Sequence, residues 1–138
     1  MSKSNLNSLK LTFINQSEYF FMLLNKNEKT NKIFTSFYYN LSKTFIKLQP
    51  IKSIELTVKY TNNHYNKIMS FDEEFYNKLD LSEIFLSNDD EDDVYYKDWF
   101  TKIKNVWFDI SQPERIELIQ AFQCMVLTAS RYYLIANS

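Results

Sequence analysis

The alternation of apolar and polar residues changes period several times along this chain. Near the amino end, "LKLTFI" sets Leu9, Leu11 and Phe13 against Lys10 and Thr12, the period of two expected of a half-buried strand. A short strand is the first reading there, and a helix that begins earlier is the other. From Ser17 to Leu24 the pattern turns helical, and "NKNEKTN" reads as a polar connection. Phe34, Phe37, Leu41, Phe45 and Leu48 then recur at intervals of three and four, which predicts a helix from Thr30 to Leu48 with that stripe facing a core. Lys32, Ser36, Tyr39, Asn40, Lys43 and Lys47 fall on the opposite face. Pro50 disfavours helical backbone at Gln49 and should end the run.

Beyond the proline, Ile54, Leu56, Val58 and Tyr60 alternate strictly with Glu55, Thr57 and Lys59, so the pattern predicts a strand. "TNNH" supplies residues suited to a turn in a chain without glycine, and Tyr65 to Met69 would return as the second strand of an antiparallel hairpin. In "SFDEEFYNKLDLSEIFL", Ser70 and Glu73 form a capping pattern for a short helix over residues 71–79, with a further turn at 82–86. Tyr96, Trp99, Phe100, Ile103, Val106, Trp107 and Ile110 mark another amphipathic helix. The last helix takes Ser111 as its cap, with Pro113, Glu114 and Glu117 in its first turns. It is apolar on nearly every side from Ala121 to Ala129, which suits a central position. The expected fold is a single α+β domain over residues 1–138, predominantly helical, with four to five helices, a small hairpin and a possible third strand. An all-α fold is the alternative.

Composition narrows the chemistry. Apolar residues make up 45% of the 138, and ten Tyr and twelve Phe place large rings at the centre of any core. Glycine is absent, which removes the dinucleotide fingerprint, the Walker loop, the calcium loop and the nucleophile elbow together. With one cysteine there is no internal disulfide, and the amino-terminal stretch breaks its apolar content with Asn, Lys, Gln and Glu, so no secretory core is expected. A cytoplasmic protein that does not cross a membrane follows as the expectation. No cofactor or metal motif is legible. His64 is the lone histidine, in the expected turn, and Cys124, with Phe122, Met125 and Val126 at its flanks, is expected to be an inert, buried thiol.

Charge is the unusual feature. The net charge is −1, yet residues 1–70 carry ten lysines against three acids (+7), and residues 71–138 carry six basic residues against fourteen acids (−8). Five of those acids are contiguous: Asp89, Asp90, Glu91, Asp92 and Asp93, followed by Tyr95, Tyr96, Asp98 and Trp99. One or two carboxylates would satisfy a helix amino terminus, and five crowd one another. Trp99 falls on the apolar stripe, whereas Tyr95 and Asp98 do not. Asp89 to Asp93 with Tyr95 and Asp98 therefore form the candidate partner-binding set. Carboxylates can stand where phosphates would bind and rings can fill apolar gaps, as in protein inhibitors of nucleic-acid enzymes. The corresponding function is a non-enzymatic inhibitor, of the immunity-protein, antitoxin or phage anti-defence kind, directed at a basic partner such as a nuclease.

The alternative uses the other half. Lys26, Lys29, Lys32, Lys43 and Lys47 could contact phosphates, which would suit a nucleic-acid-associated or self-assembling structural protein. Both arginines lie in the acidic half, so base-specific reading is disfavoured. Paired carboxylates such as Glu114 with Glu117, or Glu73 with Asp80, are better explained by capping than by acid/base work. A duller explanation of the split is that lysines of residues 26–67 fold against acids of residues 72–93 and neutralise them.

Overall fold

A computed structural model describes residues 3–70, 72–78 and 101–138. Helices α1 (Lys3–Lys26), α2 (Ser36–Leu48), α3 (Pro50–Thr61), α4 (Tyr65–Met69) and α5 (Glu73–Lys78) precede a helical segment over residues 101–106 and the last helix, α6 (Gln112–Ala136). Short 3-10 turns at Asn62–His64 and Trp107–Asp109 lead into α4 and α6. No strand occurs among the described residues, so the expected hairpin and third strand are absent and the all-helical alternative holds.

Each of the expected strands is helical for a reason that its neighbours supply. Leu9 to Phe13 lies inside α1, where Phe13 is buried and Leu11 is 59% exposed, a split that a two-residue period forbids. The buried row of α1 runs Phe13, Ser17, Leu24, with half-buried Phe20 between them, at intervals of four, three and four. Ile54 to Tyr60 lies inside α3. Its β-branched and hydroxyl residues resemble a strand, but Ser53, Thr57 and Thr61 sit at four-residue spacing and each donates its hydroxyl to the carbonyl four residues back, at 2.6 to 2.8 Å. Those bonds satisfy polar groups on a face where Ser53, Ile54 and Thr61 are buried. Tyr65 to Met69 forms α4 and not a returning strand.

Helix boundaries follow side-chain chemistry in a chain with no glycine. The expected helix from Thr30 starts only at Ser36, because the buried Thr30 hydroxyl is given to the Leu24 carbonyl at the end of α1 (2.6 Å). Asn27 accepts from the Lys29 amide (2.9 Å) and Asn25 donates to the Phe34 carbonyl (3.2 Å), closing the same connection. Pro50 ends α2 through Gln49 and also opens α3, where a missing N–H costs nothing. Ser70 belongs to the end of α4, donating to the Lys67 carbonyl; Asp72 caps α5 by accepting from the Phe75 amide (3.3 Å).

Helix α6 is central. It packs along α1 and also meets α3 and α4. Leu118 joins Leu24, Phe34, Ile103 and Ile110 in one buried cluster, Met125 and Ala129 join Phe13 and Ile54 in a second, and Ile119 and Val126 join Ile68 and Tyr76 in a third. Burial on several sides at once explains why this stretch has no single apolar stripe.

Candidate functional site

The acidic set, Asp89, Asp90, Glu91, Asp92, Asp93, Tyr95 and Asp98, lies outside the described residues, as do Tyr96, Trp99 and the turn expected at 82–86. Of the acids that lead toward it, Glu74 pairs with Lys78 at 2.7 Å. Glu73 accepts from the Gln112 amide at 3.3 and 3.4 Å and stands 4.0 Å from Arg115 Nη2. Arg115 also donates to the Ile110 carbonyl (2.7 Å), so it ties α5 and the approach to α6 together.

Glu114 and Glu117 serve as clamps between helices. Asn27 Nδ2 donates to Glu114 Oε2 at 2.6 Å and Ser111 Oγ to Glu114 Oε1 at 2.6 Å, which pins the start of α6 to the end of α1. Tyr19 donates its hydroxyl to Glu117 Oε1 at 2.9 Å, and that acceptor pushes the Tyr19 hydroxyl above its ordinary pKa. Asp80, the expected companion of Glu73, is outside the described residues.

The lysines divide into two groups. Lys26, Lys29 and Lys32 are exposed along the connection between α1 and α2. Lys43 and Lys47 each have a partner in their own molecule: half-buried Lys43 places Nζ 5.0 Å from the centre of the Tyr39 ring, and Lys47, still exposed, places Nζ 3.4 Å from Glu18 Oε1. The five do not present one open basic face.

Among the described residues, every ion pair stays within its own half of the sequence. Lys47–Glu18 lies within residues 1–70; Lys78–Glu74 and Arg115–Glu73 lie within residues 71–138. Asp72, Glu73 and Glu74 therefore receive no lysine from residues 26–67, and the proposed mutual neutralisation does not occur among these residues.

Two expectations about individual side chains are overturned. Cys124 is exposed, because α6 buries Met125 and Val126 and turns position 124 outward, into a shallow groove beside Tyr19 and Glu117. On α2, Phe37, Leu41 and Leu48 were expected in the core and are 69%, 55% and 76% exposed. Ile46 is buried in their place, flanked by half-buried Tyr39, Ser42 and Phe45. Apolar residues occur on both sides of this helix, so periodicity alone could not choose the inner one. His64 is half-buried, its ring 6.4 Å from that of Phe75.

Among the described residues no three His, Cys, Asp or Glu side chains gather as a metal would require, and no helix is long and apolar enough to cross a membrane. Compared with models of known families, with curated proteins and with solved structures, the chain matches none.

Proposed function

We propose that this chain is a cytoplasmic, non-enzymatic protein-binding inhibitor, of the immunity-protein, antitoxin or phage anti-defence kind, whose acidic and aromatic segment occupies a basic cleft on its partner. What supports the reading is the separation of charge: the halves carry +7 and −8, and the ion pairs among the described residues all form within a half. A molecule polarised in this way steers a partner of opposite sign and orients it on approach. Asp89 to Asp93 and Asp98 supply carboxylates in place of phosphates, and Tyr95 supplies an amphipathic ring that can bury its body and keep its hydroxyl hydrated. The partner is a protein with a basic surface, and a nuclease or other nucleic-acid enzyme has the required chemistry.

A second reading, association with nucleic acid or structural self-assembly through the lysine-rich half, draws on Lys26, Lys29 and Lys32 being exposed on one connection. Lys43 and Lys47 weaken it, since each is engaged within the molecule.

The experiment is affinity capture with the tagged full chain, followed by binding measurements on the purified pair. The expected result is one stoichiometric basic protein whose association rate falls at least about tenfold as salt rises. Reversal of Asp89 to Asp93 to lysine should abolish that capture. Undiminished binding by the reversed chain overturns the mechanism, and recovery of nucleic acid in place of protein turns the assignment to the lysine-rich half.

A further inference from the structure

We draw no further inference here: the strongest candidate, the exposed apolar face of α2 formed by Phe37, Leu41 and Leu48 and continued onto α3 by Ile51, carries nothing because nothing in the structure shows what covers it.

Discussion

Replacing Ile54 by alanine separates the helical from the extended reading of residues 54–60 by magnitude. Ile54 is fully buried against Phe13, Met125 and Ala129, where α1, α3 and α6 meet. Truncating a buried isoleucine costs about 2 to 5 kcal/mol, from lost transfer free energy and the cavity left behind. A site walled by three helices has little freedom to collapse, so about 3 to 4 kcal/mol is expected. Leu56 lies two residues on and is only half-buried. In a strand the two would share a face and cost alike; on α3 they stand about 200° apart, and Leu56→Ala should cost about 1 kcal/mol. Urea unfolding followed by circular dichroism at 222 nm measures both, with the slope of the transition checking that the denatured states are comparable. The melting temperature of Ile54→Ala should drop by roughly 10 °C. Equal losses at positions 54 and 56 would refute the helical assignment of α3.

Two further outcomes follow from particular contacts. The 2.6 Å bond between Asn27, itself 9% exposed, and Glu114 should show a coupling of about 1 to 2 kcal/mol in a double-mutant cycle of Asn27→Ala and Glu114→Ala, and a coupling near zero would remove it as a clamp between α1 and α6. Burial pushes the Tyr76 hydroxyl, which donates to the Ile68 carbonyl at 2.6 Å, well above its ordinary value of 10.0. Below that pH both states hold the proton and the stabilisation is complete; above it the unfolded chain releases the proton first, so stability falls as pH rises from there toward the higher folded value. Unfolding of the parent and of Tyr76→Phe at a series of pH values from neutral to strongly alkaline should show the steeper decline in the parent, and parallel slopes would contradict the burial argument.

Part of the fold was legible in residue order, and the parts that were not share a cause. Gln49–Pro50 marked a boundary, and Ser111 with Pro113 marked the start of α6. The apolar content of residues 121–129 foretold a central helix, though not that Cys124 would face outward. At Ser70 the capping pattern pointed to the right neighbourhood and the wrong side chain, because Asp72 stood closer to the first turn of α5. Of the candidate site, the contrast of charge between halves was read from composition. The structure adds that the ion pairs among the described residues keep to their own half.

By itself, the sequence determined the inventory: aromatic-rich material for a core, no glycine-dependent phosphate loop, opposite charge in the two halves, and helix boundaries at Gln49–Pro50 and at Ser111. Only the tertiary structure decided that residues 54–60 coil and that α2 turns Ile46 inward in preference to Phe37, Leu41 and Leu48. Strand and helix preferences differ by well under about 1 kcal/mol per residue, whereas burying one isoleucine against a complementary neighbour contributes about 1.5 to 3 kcal/mol. Where a segment carries apolar side chains at both periods, or on both faces, local preference is outweighed by whichever surface the other helices bring to meet it.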